Sequence, residues 1–255
     1  MNIQEIKEFL DEKSDLYNRP RFIETDPIQV PKAFSRKEDV EIAGFLTATI
    51  SWGTRKSIIQ NAHRLLQLLD NQPYEFITSA SERELVIASE FIHRTFNHND
   101  TLYFLKSLRN LYLHQGGLEN AFLGGFREDT TVYSSLKQFR DIFFELPGPE
   151  RTRKHLSDVT TGSAAKRLNM YLRWMCREDN RGVDIGIWKG IPAASLMLPL
   201  DVHTGNVARK LGILKRKQND WKAVEEVMAV LRTFDQADPV KYDFALFGLG
   251  AFEKF

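Results

Sequence analysis

Apolar residues recur at helical spacing along almost the whole chain. Ile3, Ile6, Phe9 and Leu10 mark a first helix. Val40, Ala43, Gly44, Leu46, Thr47 and Ile50 mark another, over 39–50, which breaks at Ser51-Trp52-Gly53. Ile58, Ile59, Ala62, Leu65, Leu66 and Leu69 form the face of a helix from 56 to 69, with Gly53 as the preceding stop and Thr54 as its N-cap. Ser81-Glu82-Arg83-Glu84 has the form of a capping box ahead of Leu85, Ile87 and Phe91, predicting a helix over 81–94. Leu102, Leu105, Leu108, Leu111 and Tyr112 predict a helix over 100–114, stopped by Gly116-Gly117. Shorter helices over 118–123 and 132–144 lead to a break at Pro147-Gly148-Pro149. Beyond it, 163–175, 202–211, 220–232 and 240–249 are predicted helical. Residues 19–34, with Pro20, Pro27 and Pro31, read as an extended connector. Alternating β-branched stretches are nearly absent, so no strands are predicted. The pattern is that of an irregular all-α fold of short helices.

Composition refines this picture. A chain of 255 residues can bury a substantial core and suits two small lobes sharing an interface. Its 18 phenylalanines point to aromatic-rich helix packing. The net charge of +1 is not that of a strongly basic nucleic-acid binder, although it leaves room for a local basic face. The single cysteine, Cys176, excludes an intramolecular disulfide and a four-cysteine metal or iron–sulfur site; it falls on an apolar helix face and reads as a small buried thiol. The N-terminal segment is charged and amphipathic, and no apolar run reaches the length of a membrane span, so the expectation is a cytoplasmic protein away from the membrane.

Familiar catalytic constellations are missing. The six histidines show no metal-ligand spacing, and there is no Gly-x-Ser-x-Gly or phosphate loop. The informative stretch runs from Asp158 to Leu211. Within it, Leu168, Tyr171, Leu172 and Met175 mark a buried helix face, and Lys166 sits at the edge of that face in the first turn. A cation there opposes the helix dipole. A partly desolvated neutral amine is what a Schiff-base nucleophile needs, whereas a surface lysine on an ordinary helix is the plainer reading. Asp201 directly precedes a helix. It reads as an N-cap, and the same residue would present a rigid carboxylate able to stabilise a developing oxocarbenium ion.

At these residues the chain resembles a known superfamily. Pro199-Leu200-Asp201-Val202-His203-Thr204-Gly205-Asn206-Val207-Ala208-Arg209 is similar to the motif that carries the catalytic aspartate of the helix-hairpin-helix DNA glycosylases. Gly162-Ser163-Ala164-Ala165-Lys166-Arg167-Leu168-Asn169 resembles the second helix of their hairpin, whose lysine is the Schiff-base nucleophile of the bifunctional members. More weakly, the segment from Glu41 to Arg55 resembles the region whose following loop probes the base stack, and 244–250 falls on a late apolar motif. Residues 38–250 can be laid over the superfamily in order; narrowly, the chain looks like a bacterial family of uncharacterised proteins within it. The chain departs from the pattern in its hairpin, where only Gly162 remains of the usual glycines. The 35 positions between Lys166 and Asp201 also exceed the spacing in endonuclease III. Archaeal 8-oxoguanine DNA glycosylases share both departures and are the nearer analogy.

The resemblance implies a two-lobed glycosylase-like fold with a variant helix-hairpin-helix. Residues 38–197 would form the central helical domain, and 1–37 with 198–255 the second lobe. It implies a DNA N-glycosylase and AP lyase acting on a damaged base, with an oxidised purine the first candidate. Lys166 and Asp201 would be the catalytic residues, on opposite walls of a cleft between the lobes. Because both must address one sugar, their side-chain ends are expected within roughly 8 Å of each other. Gly162, Ser163, Trp52, Arg55, Lys56, Arg167, His203 and Arg209 would contact the DNA, with Lys210 also on the basic flank. Trp52, Trp188, Phe252 and Phe255 are candidates for stacking on a base. The expected partner is damaged double-stranded DNA, bound by a monomer without metal or cofactor. Two alternatives stay open: a nucleic-acid-binding helical protein without chemistry, and a helical interaction protein with no DNA role.

Overall fold

Side-chain caps start many of the helices. Thr54 accepts from the Ser57 N–H, Ser81 from the Glu84 N–H, Asn97 from the Asp100 N–H and Asp220 from the Ala223 N–H, so orphan amides at these helix starts are satisfied locally. The computed structural model covers all 255 residues, and it is all-α: twelve α-helices, short 3-10 turns and no strands. No helix is long and apolar enough to cross a membrane.

The chain divides into two compact units, one of residues 25–157 and one of residues 1–24 with 158–255. The second is discontinuous, and the boundary falls at 157/158 where the resemblance implies 197/198. Residues 158–197 pack with the terminal segments because their helix and connector supply buried charges matched by carboxylates near the C-terminus, as described below.

The continuous unit holds α2 (Lys37–Thr49), α3 (Arg55–Gln67), α4 (Pro73–Ser79), α5 (Glu82–Ala88), α6 (His98–His114), α7 (Gly117–Asp129) and α8 (Val132–Phe143). Its core is aromatic, as the composition suggests. Phe45 packs on Phe104, Phe139 and Phe143, and Phe122 stacks on Phe139 at 3.8 Å. Several elements differ from the sequence pattern. The proline-rich stretch is not extended; it winds into 3-10 turns at Pro20–Thr25, Pro27–Gln29 and Pro31–Ala33, which proline's fixed φ favours at their first positions. Helix α5 stops at Ala88 instead of 94, and the following residues form a tight turn closed by mutual His93–Phe96 backbone bonds, with Arg94 left-handed. Helix α7 does not end at 123 but runs on through Gly124-Gly125 to Asp129. A Cβ at Gly125 would lie 2.2 Å from the Ser134 carbonyl oxygen, so glycine there admits α8 at close range. Helix α4 has no counterpart among the predicted elements.

The discontinuous unit holds α1 (Ile3–Tyr17), α9 (Lys166–Cys176), α10 (Val202–Lys210), α11 (Trp221–Phe234) and α12 (Tyr242–Ala251). Helix α1 lies along α12, where a Cβ at Gly248 would clash with the Tyr17 ring at 2.1 Å. Lys13 and Tyr17 both bond the Glu253 carboxylate, and Phe9 meets Phe255 with ring centroids 6.0 Å apart. The connector from α9 to α10 folds back over the C-terminal end of α9. The Ile185 and Trp188 amides donate to the carbonyls of Trp174 and Met175, which closes that helix end. Cys176 is buried, as expected.

Candidate functional site

The site is built where two helices begin. Helix α9 starts at Lys166, three residues later than the sequence pattern suggests, because the residues before it are not helical. Val159–Thr161 form a 3-10 turn capped by Asp158, Gly162 turns left-handed at φ +87, and Ala165 is left-handed as well at φ +47. A non-glycine residue in that region costs roughly 1–2 kcal/mol, and here the strain immediately precedes the candidate nucleophile. Ser163 Oγ accepts from the Ala165 N–H at 3.2 Å, which helps to fix the turn.

Helix α10 starts differently. Asp201 is its N-cap, accepting from the Thr204 N–H at 2.9 Å, while its own N–H donates to Thr204 Oγ1 at 2.7 Å. Asn219 donates to the Asp201 carbonyl oxygen at 2.9 Å. Backbone and side chain of Asp201 are therefore both pinned. Lys166 Nζ lies 2.9 Å from Asp201 Oδ2, well inside the expected separation. The two residues belong to the same compact unit rather than to two lobes. Lys166 is 41% exposed and Asp201 12%. The amine is thus open to a ligand and is not desolvated, while its carboxylate partner is mostly enclosed. Burial alone would raise the Asp201 carboxyl; the Lys166 charge, the Thr204 N–H and the bonds from both side chains hold it below the ordinary carboxylate value.

Behind the pair stands a buried ladder of charge. Arg173 and Arg177 lie seven and eleven residues after Lys166, on the same side of α9. Arg173 bonds Asp184 at 3.2 Å and also bonds Asp243. Arg177 bonds Asp184 at 2.9 Å, Asp238 at 2.8 Å and Asp179 at 2.7 Å. Both guanidiniums sit over the Phe244 ring. Burial pushes the Asp243 carboxyl up to about 6; Arg173 opposes the rise, and the nearby Asp201 charge adds to it. None of these acidic partners stands out in the sequence, where only Asp201, followed by a hydroxyl residue three positions later, carries a capping signal.

The other candidate residues fall into two groups. Gly162 and Ser163 lead into Lys166. Burial brings Arg167 down to about 10, so it is no freely exposed cation. His203 is exposed beside Gly250, where a Cβ would come 3.0 Å from the histidine Cβ. Arg209 does not face solvent freely; it bonds the Arg216 carbonyl oxygen at 2.8 Å and Asn219. Lys210 lies over the Phe255 ring. Trp52, Arg55 and Lys56 belong to the other unit. There Trp52 is half-exposed against His93 and His155, Arg55 pairs with Asp26 at 3.5 Å, and Lys56 is exposed. Of the stacking candidates, Trp188 is buried against Tyr171, which removes it; Phe252 is exposed. No group of three or more His, Cys, Asp or Glu side chains is placed to hold a metal.

The family model described as "Protein of unknown function (DUF2400)" matches residues 26–252. The chain belongs to that family. The match takes in both Lys166 and Asp201, nearly all of the continuous unit, and residues 158–252 of the discontinuous unit but not its segment 1–24. No curated protein and no solved structure matches the chain.

Proposed function

We propose that this DUF2400 protein is a DNA base-excision enzyme, an N-glycosylase with AP lyase activity, built on a glycosylase-like scaffold whose helix-hairpin-helix is altered. The observation that carries the reading is the 2.9 Å approach of Lys166 Nζ to Asp201 Oδ2, with the amine half-open to solvent and the carboxylate enclosed. The sequence motifs on either side resemble those that carry the lysine and aspartate of the helix-hairpin-helix glycosylases.

The chemistry follows from these two groups. The Lys166 amine, its proton passed to Asp201, forms a bond to C1′ of the target nucleotide as the bond from C1′ to the base breaks. The base leaves with the electron pair and takes up the proton that Asp201 received, so that Asp201 is again a carboxylate. Asp201, held by Thr204 and Asn219, faces the positive charge that develops on the sugar. Opening of the sugar ring gives the imine on Lys166. Loss of a C2′ proton then expels the 3′ phosphate, and hydrolysis of the imine returns the amine. Reaching C1′ in a duplex requires the nucleotide to be extruded.

The test is borohydride trapping with duplexes carrying an abasic site, 8-oxoguanine or other damaged bases. The expected result is a covalent protein–DNA adduct with one of them that disappears in Lys166→Gln. Asn is an equally good N-cap, so Asp201→Asn should keep its fold and lose the adduct. A wild-type protein that binds damaged duplex in a salt-dependent way yet never traps would instead be a nucleic-acid-binding scaffold, with Lys166–Asp201 as an ion pair only.

A further inference from the structure

The chain as a whole carries a net charge of +1, but the segment from Arg209 to Lys222 holds six cations and one carboxylate. That carboxylate, Asp220, is already committed: it caps α11 and receives both Nε and Nη2 of Arg216. Arg209 is committed as well, bracing the loop from inside. Lys215, Lys217 and Lys222 remain exposed, and with Arg216 and Gln218 they line a shallow concavity. Its other lining residue is Glu226, whose carboxylate receives the Lys215 N–H at 2.6 Å.

This loop is joined directly to both elements of the candidate site. The Trp221 N–H donates to the Gly162 carbonyl oxygen at 2.9 Å, and Ser163 and Asp220 form an antiparallel bridge, so the loop is tied to the turn that leads into Lys166. Asn219 ties it to the Asp201 carbonyl oxygen at 2.9 Å. An anion held by the loop would sit in a fixed relation to both residues. The concavity is lined by long charged and amide side chains, and its three exposed lysines outnumber its one carboxylate, Glu226. A polyanion of regularly spaced phosphates is what it fits.

We propose that the Lys215–Lys222 loop grips the phosphodiester backbone of duplex DNA next to Lys166 and Asp201. The proposal rests on the base-excision reading for the identity of the strand. It does not depend on the chemistry.

The experiment measures fluorescence anisotropy of a short labelled duplex with one abasic site, across a salt series. It compares wild type, Lys215→Gln/Lys217→Gln, and the charge-matched control Lys137→Gln/Lys154→Gln, whose exposed lysines lie in the other unit. Each lost phosphate contact lowers the slope of log affinity against log salt by about 0.9, so the loop variant should lose a slope of about 2 while the control keeps that of wild type. Equal slopes in all three proteins, an equal loss in both variants, or no duplex binding by wild type would each overturn the grip. Borohydride trapping by wild type is read in parallel. Loss of slope in the loop variant with no wild-type trapping would leave the grip standing and remove the enzyme; trapping with unchanged slope would do the reverse.

Discussion

Asp100 in one compact unit and Asp243 in the other are both buried among charges, and the two behave in opposite ways. Asp100, in the continuous unit, is fully enclosed, and its carboxyl lies below the ordinary value. Burial alone would raise it. Four donors overcome that: the Asn97 N–H at 2.9 Å, Thr152 Oγ1 at 2.7 Å, Arg151 Nη1 at 2.6 Å and His155 Nε2 at 3.1 Å. Asp243, in the discontinuous unit, is 6% exposed and is pushed up to about 6 by burial, with Arg173 opposing and the like charges of Asp201 and Asp184 adding to the rise. Burial raises both carboxyls and is the largest single influence on each; at Asp100 the four donors together outweigh it, whereas at Asp243 the opposing arginine does not and two like charges add to the rise. The first arrangement is a closed structural knot. The second leaves a proton-exchanging group electrostatically in touch with the candidate catalytic pair.

Removing the first carboxylate should be the most damaging change. Asp100→Ala strands a buried histidine and hydroxyl and unpairs the more exposed Arg151, and about 3 kcal/mol of stability should be lost in denaturant unfolding at pH 7. Because the folded-state value lies below the unfolded one, the Asp100 contribution is present above the unfolded value and is lost as pH falls through the folded one. The gap between wild type and variant should therefore narrow at acid pH. A gap independent of pH would show that Asp100 contributes through packing alone.

Asp243 should show the reverse sign. Its folded value of about 6 exceeds the ordinary carboxylate value of 3.8, so its stabilising contribution is present below the lower value and lost as pH rises through the higher. Asp243→Asn does not titrate. Relative to wild type it should gain on the order of 3 kcal/mol between pH 4 and pH 7, since each tenfold change in proton affinity is worth about 1.4 kcal/mol. Parallel stability–pH curves for the two proteins would erase the contrast between the sites.

Thr152→Val removes a single neutral donor from Asp100 while keeping its shape. The expected cost is about 1 kcal/mol, with the Asp100 titration moving up, which NMR of the carboxyl carbon would follow. An unmoved titration would mean that the charged donors alone depress it.

The smallest change concerns the helix shared by Lys166 and Arg173. Ala165→Gly relieves the left-handed strain before Lys166 and should raise stability by up to about 1 kcal/mol, less the added freedom of the unfolded chain. A loss of stability would show that Ala165's side chain matters more in the core than its backbone strain.

These contrasts also separate what the chain reveals in advance from what it hides. Helix faces and caps are local, so Thr54, Ser81 with Glu84, and Asp201 are legible from neighbours three positions away. So is the ordering of Lys166 before Asp201, because motif resemblance is read along the chain. The partners of Arg173 and Arg177 are hidden, since Asp184, Asp238 and Asp243 reach them from loops and a helix start up to 70 residues distant. Asp100 looks like an ordinary third residue of a capped helix, and only tertiary contact brings Thr152 and His155 to it. The full length of α7 is hidden too, because the close approach of α8 that calls for Gly125 leaves no mark in the local pattern. The basic loop is concealed by the overall charge balance and by its position outside any helical pattern.

The pairing of α1 with α12 bears on how the protein comes off the ribosome. Helix α1 is made first, yet its partner groups, Gly248 and Glu253, are made more than 230 residues later. The unit of residues 25–157 is continuous in sequence and can close on itself while synthesis proceeds. An amphipathic helix thus waits, half-solvated, while more than 230 residues are made, and Lys166 and Asp201 are brought together only after the continuous unit has been synthesised. Nascent chains stalled near residue 200, with the whole of 25–157 clear of the ribosome, should already protect the Phe45–Phe139 core from protease while leaving α1 open to cleavage.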